Sequence, residues 1–154
     1  MPGGQRTVVI NRAPEAVFAF FSEHENDPKW RPIVTKIRPE GPPAVGVRVH
    51  QVISGPGGRR IPADFEITAH QPGQLHAFDV VAGPIRPHGE YRFAPTPDGG
   101  TEVTLALTAE IGGLKKLLMA KPVQKSIDAE LAGLDRAKAV LEADDPHRVG
   151  RMDV

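Results

Sequence analysis

Two side chains combine reactive chemistry with a strand position that faces inward: His76 and Tyr91. An imidazole titrates near neutrality and serves as an acid or base. A phenol at the end of an apolar body donates a hydrogen bond to a carbonyl or a developing enolate. Together they have the chemistry of a cyclisation or dehydration. The plainer alternative is a histidine satisfied at a pocket mouth and a core tyrosine bonded to the backbone. Their facing follows from charge. In Leu75–Val81, His76, Phe78 and Val80 share one face, and turning it inward leaves Asp79 in water. In His88–Ala94, turning Tyr91 and Phe93 inward leaves Glu90 and Arg92 outside.

These two segments belong to a run of strands. Thr7–Ile10 is rich in β-branched residues and reads as a first strand. Ala13-Pro14-Glu15 opens a short helix, with proline where no N–H is needed. His24 to Trp30 reads as a second helical turn, capped at Asn26 or Asp27. Strands follow at Ile33–Arg38, Val45–Ile53, Arg60–Ala69, Leu75–Val81, His88–Ala94 and Thr101–Ala109, punctuated by Gly and Pro turns. In Arg60–Ala69 the alternation turns Ile61, Ala63, Phe65, Ile67 and Ala69 to one side. From Leu114 to Leu141 the period becomes helical, with Ile127, Leu131, Leu134 and Leu141 in one stripe and a kink or interruption expected at Pro122. The pattern predicts an α+β domain of seven curved antiparallel strands around a long C-terminal helix, with two short helices between the first and second strands.

A single domain is expected over 1–154, with its core at about 5–143 and a disordered tail at 144–154. Nineteen basic and nineteen acidic residues give a net charge of zero, which lacks the electrostatic signature of a nucleic-acid binder. There is no cysteine, so disulfides and thiolate chemistry are excluded. No run has membrane-span length, so no stable membrane insertion is expected, and neither is a signal peptide; a cytoplasmic protein is the default. The six histidines are scattered, and no metal site is expected. No Rossmann fingerprint occurs, Gly55–Arg60 lacks the ending of a phosphate loop, and no cofactor is implied.

Several stretches resemble the START-related SRPBCC superfamily, within it the polyketide cyclase/dehydrase group. Ile10-Asn11-Arg12-Ala13-Pro14-Glu15-Ala16-Val17-Phe18-Ala19-Phe20-Phe21 is similar to its opening strand and first helix, and Asn26-Asp27-Pro28-Lys29-Trp30 to its second helix. Gly89-Glu90-Tyr91-Arg92-Phe93, Gly100-Thr101-Glu102-Val103-Thr104, Leu131-Ala132-Gly133-Leu134 and Leu141-Glu142 resemble later elements. The resemblance implies a helix-grip fold with an internal pocket for a small hydrophobic molecule. Its members include carriers, cyclases and chaperone activators.

The expected pocket liners are Trp30, Phe65, Ile67, His76, Phe78, Tyr91, Phe93, Leu118, Ile127 and Leu131. Leu114 to Met119, between Gly112-Gly113 and Pro122, have the makings of a gate or of a fixed amphipathic turn. Three functions follow: reversible binding of a lipid-, polyketide- or isoprenoid-like ligand; a cyclase or dehydratase using His76 and Tyr91; or a protein-interaction module with a filled core and an exposed apolar patch. A monomer or homodimer serves any of them.

Overall fold

The structure, a computed structural model, describes residues 2–143. The tail 144–154, expected to be disordered, lies outside the described residues. Strand β1 (Gly3–Ile10) leads into α1 (Pro14–Ser22) and a 3-10 turn (His24–Lys29). Strands β2 (Val34–Pro39), β3 (Arg48–Ser54), β4 (Arg60–Pro62), β5 (Phe65–Gln71), β6 (Leu75–Val80), β7 (His88–Pro95) and β8 (Thr101–Thr108) follow. Helices α2 (Lys115–Ala132) and α3 (Leu134–Ala143) close the chain. Seven strands run antiparallel in the order β1-β8-β7-β6-β5-β3-β2, forming the curved sheet of a helix-grip fold. The eighth strand, β4, pairs only with β3.

Two expectations need correction. The segment expected to be one strand over Arg60–Ala69 is divided between β4 and β5. Within β5 the register against β6 slips between Ile67 and Ala69. Such a bulge adds one residue and reverses which side chains face inward beyond it. The C-terminal helix also breaks elsewhere than at Pro122. It runs through Pro122 and divides at Gly133, where a Cβ would sit 3.0 Å from the Glu130 carbonyl oxygen and 3.4 Å from the Trp30 ring. Glycine thus lets the indole lie close against the helix junction.

The helices cover one end of the sheet. Val123, Ile127, Leu131, Leu134 and Leu141 are buried against Val8, Ile10, Val103, Leu105 and Leu107. The edge strand β1 is secured by Gln124, whose amide accepts from the Gly3 N–H at 2.9 Å and donates to the Gly3 carbonyl at 2.9 Å. That pair satisfies backbone groups an edge strand otherwise exposes. The other end is closed by α1 and the 3-10 turn. Phe18, Phe21 and Trp30 meet Tyr91 and Phe93 there, while Phe65, Val49 and Val80 form a smaller cluster.

Candidate functional site

The β5–β6 hairpin places two imidazoles side by side. Gln71 to Gln74 make the turn, and His70 pairs with His76 across it. Cross-strand partners share a face, and the bulge is what brings His70 to the inner one. A third imidazole comes from the 3-10 turn. Three residues per turn put His24 and Asp27, at i and i+3, on one side, and Arg31, just past the turn, reaches back to Asp27.

The result is a continuous hydrogen-bonded chain. His70 Nδ1 lies 3.2 Å from His76 Nδ1, and His76 Nε2 lies 2.8 Å from His24 Nε2. His24 Nδ1 lies 3.0 Å from Asp27 Oδ2. Arg31 Nη1 donates to that oxygen at 3.1 Å and to Gln51 Oε1 at 2.8 Å. Arg31 also forks onto Glu130, Nε to Oε2 at 2.8 Å and Nη2 to Oε1 at 3.2 Å. One guanidinium therefore joins the 3-10 turn, β3 and α2. His24, Asp27 and His76 are buried, His76 completely.

Burial sets the electrostatics. Desolvation pushes the His76 imidazole down to about 3, with the nearby His24 and His70 acting in the same sense. Burial and His24 also lower His70. For Arg31, burial opposes the charge, yet Glu130 and Asp27 outweigh it and hold the guanidinium more firmly protonated. Burial raises the Tyr91 phenol well above its ordinary value, and Asp27 adds to the effect. Tyr91 thus stays a neutral donor.

His76, expected as a catalytic base, is enclosed within this chain of hydrogen bonds. Both ring nitrogens are engaged, the ring has no exposed edge, and a group that protonates near 3 takes up few protons at neutral pH. His76 is an interior link of the hydrogen-bonded chain. The residues it links, His24, His70, Asp27 and Arg31, were not singled out as chemistry from the sequence.

Of the other expected liners, Trp30, Phe65, Ile67, Tyr91, Phe93, Ile127 and Leu131 are buried, and Phe78 is half-buried. The rings pack on one another: Phe65 on Phe78 at 5.1 Å, Phe21 on Tyr91 at 5.0 Å, Phe21 on Trp30 at 5.6 Å. His24 lies 4.7 Å from Phe65, so the 3-10 turn puts an imidazole into space expected to be hollow. Leu118 is corrected. It is 79% exposed and does not line the interior, and Leu114 is 84% exposed.

Two open clefts lie outside the space between sheet and helix. One, of about 540 Å³, is lined by residues of β2 and β3 together with Asp64. The other, of about 580 Å³, is bounded by α1 and the Pro39–Pro43 loop, with His70 in its wall. Two polar atoms in the core are buried without a hydrogen-bond partner: Asp27 Oδ1 and Trp30 Nε1. Among the described residues, no cluster of His, Asp or Glu is suited to hold a metal ion, and no helix is long and apolar enough to cross a membrane.

Comparison with solved structures returns the same fold. TTHA0849 from Thermus thermophilus superposes with a TM-score of 0.76 at 21% identity, covering 92% of this chain and 98% of that one. The di-domain ARO/CYC StfQ of the steffimycin biosynthetic pathway gives 0.76 at 19% identity, over 96% of this chain and 51% of that one. A START superfamily protein from Mycobacterium smegmatis gives 0.73 at 13% identity, over 92% of this chain and 97% of that one. A search of curated protein sequences returns no significant match. A family profile described as polyketide cyclase / dehydrase and lipid transport matches residues 1–142. The chain belongs to that family.

Proposed function

We propose that the domain binds a small, largely apolar molecule bearing a hydroxyl or carbonyl group, seated between sheet and helix beside Tyr91. The observation that carries this reading is the pair of orphaned core atoms. Asp27 Oδ1 accepts only and Trp30 Nε1 donates only, and both are buried unpaired. Leaving such an atom unsatisfied costs about 1–3 kcal/mol. A guest with an oxygen function offsets that cost while its apolar body contacts the Phe65, Phe78 and Tyr91 rings. Membership in a cyclase, dehydrase and lipid-transport family supports the same ligand class.

The guest must displace core side chains to enter. Phe78, Ile85, Ile111 and Met119 are half-buried members of the core fringe, and Gly113, at φ +64°, lies just ahead of α2. A fringe with little burial opens at small free-energy cost. Leu114 and Leu118 are exposed, the feature a protein-interaction module would show. A catalytic extension rests on Tyr91. A phenol kept neutral by burial can stabilise a developing enolate, as a cyclase or dehydratase requires.

Titration with 2-naphthol and naphthalene, followed by ligand fluorescence, tests the binding. Saturable binding at one site is expected, tighter for the naphthol. Tyr91→Phe should weaken the naphthol about threefold to tenfold and leave naphthalene unchanged, the scale of one neutral hydrogen bond. If neither compound saturates, and native mass spectrometry of the purified protein shows no retained molecule, the reading fails.

A further inference from the structure

His70 stands in the wall of the open cleft and is also the outermost member of the imidazole chain. Its Nε2 has no hydrogen-bond partner among the described residues. We propose that His70, His76 and His24 form a proton relay that carries a proton from this cleft to Asp27 in the core.

With Asp27 ionised and each ring neutral, every bond in the chain has one direction. Ionised Asp27 only accepts, so His24 Nδ1 carries the proton between them. With His24 neutral, its Nε2 is an acceptor and His76 Nε2 donates to it. His76 Nδ1 is then an acceptor, and His70 Nδ1 donates. In this resting state each ring carries one proton. A proton from water now adds to His70 Nε2. His70 releases its Nδ1 proton to His76 Nδ1, and His76 releases its Nε2 proton to His24 Nε2. One proton has been gained at the cleft, each hop has used an existing hydrogen bond, and the new charge rests on His24 against Asp27. His76 is never doubly protonated at rest, in keeping with its depressed basicity.

Charged groups surround both ends. Glu23, Glu25 and Glu40 line the cleft at the uptake end. At the delivery end stand Asp27 in the 3-10 turn, Arg31 just beyond it, Glu130 on α2 and the Tyr91 phenol on β7. The carboxylates at the cleft favour an incoming proton, and Asp27 favours its arrival. What the delivered proton does rests on the ligand reading: a guest hydroxyl or enolisable carbonyl at Asp27 Oδ1 gains or loses a proton there without contact with bulk water. The transfer itself does not depend on a ligand.

Imidazole ¹⁵N spectroscopy of the ligand-free protein tests the relay. The expected tautomers are Nδ1–H on His70, Nε2–H on His76 and Nδ1–H on His24. Exchange of the His76 and His24 N–H protons with water is then measured in wild type and in His70→Phe. The substitution keeps an aromatic cover beside Phe18, which lies 5.1 Å from the His70 ring, but cannot pass a proton. The relay predicts that exchange at His76 slows about tenfold or more, because its only proton source is gone. A plug without relay function predicts no change in His70→Phe and faster exchange in His70→Ala. Unchanged or faster exchange in His70→Phe, or the reversed tautomer on His76, overturns the proposal. Should His70→Phe fail to fold, His70→Leu carries the same prediction. Absence of naphthol binding would leave this result standing.

Discussion

Replacing His76 by Gln should flatten the acid side of the stability profile. In the unfolded chain this imidazole titrates near its ordinary 6.5; in the folded protein burial holds it to about 3. A histidine whose folded value is depressed stabilises fully above the unfolded value, and that contribution is lost as pH falls towards the folded one. Each proton bound only by the unfolded state tilts stability by about 1.4 kcal/mol per pH unit. Integrated for one group between about pH 7 and pH 5, the loss is about 2 kcal/mol. At pH 5 the folded ring is still neutral, so the folded value does not enter the figure. Glutamine fits the comparison because it donates and accepts but does not titrate. Urea unfolding at pH 7, 6 and 5 measures both proteins. Wild type should lose about 2 kcal/mol more than His76→Gln over that interval, whatever their difference at pH 7. Parallel profiles would mean that the folded ring protonates as readily as the unfolded one. The neutral interior chain would then be wrong.

Gly89→Ala should destabilise by about 1–3 kcal/mol through overpacking, because a Cβ there would lie 2.3 Å from Phe78 Cζ and 3.0 Å from Leu107 Cδ2; thermal unfolding reads this, and Phe78→Leu in the same chain should recover part of the loss. His88 should titrate above its ordinary value, since burial is outweighed by hydrogen bonds to Asp79 and Glu90. It therefore stabilises below the unfolded value, and that help is lost as pH rises through the folded one, opposite in sign to His76. Proton NMR titration of the ring checks this, and Asp79→Asn should bring the midpoint down.

The order of the elements was legible because turns and periods are local. The proline and glycine runs ended each strand, and the change of period after Gly113 marked the helices. The polar site was harder to read. The strand read over Arg60–Ala69 stopped short of His70, and the slip after Ile67 turns that residue in beside His76. A bulge shifts the alternation by one residue, but Thr68, Ala69 and His70 lack the apolar–polar contrast that would display the shift, so the partner strand is what reveals it. The pairing itself was within reach: a turn at Gln71-Pro72-Gly73 sets His70 opposite His76. His24, Asp27 and Arg31 carried a signal too, in their spacing along a helical turn. Asp27 was read as a cap, and the structure gives it an imidazole and a guanidinium instead. The division of the helix falls at Gly133, where the missing Cβ leaves room for the Trp30 ring, a contact across about a hundred residues that no local pattern contains.

A packed apolar core would close this fold with less strain on the free-energy balance than the interior it has. Three imidazoles, a carboxylate and a guanidinium all lose hydration on burial, and well-packed apolar residues of similar volume often serve stability as well or better. Hydrogen bonding limits the cost here: every ring nitrogen of His24 and His76 has a partner, and Arg31 is matched by Asp27, Gln51 and Glu130. Full satisfaction stops at two atoms, Asp27 Oδ1 and Trp30 Nε1. The unsatisfied oxygen sits on the residue where the imidazole chain ends. A network built only to hold the fold has no reason to leave its terminal acceptor open. One built to meet a guest must leave an acceptor free, and a route for protons to that acceptor lets the guest change its protonation state while sealed from water.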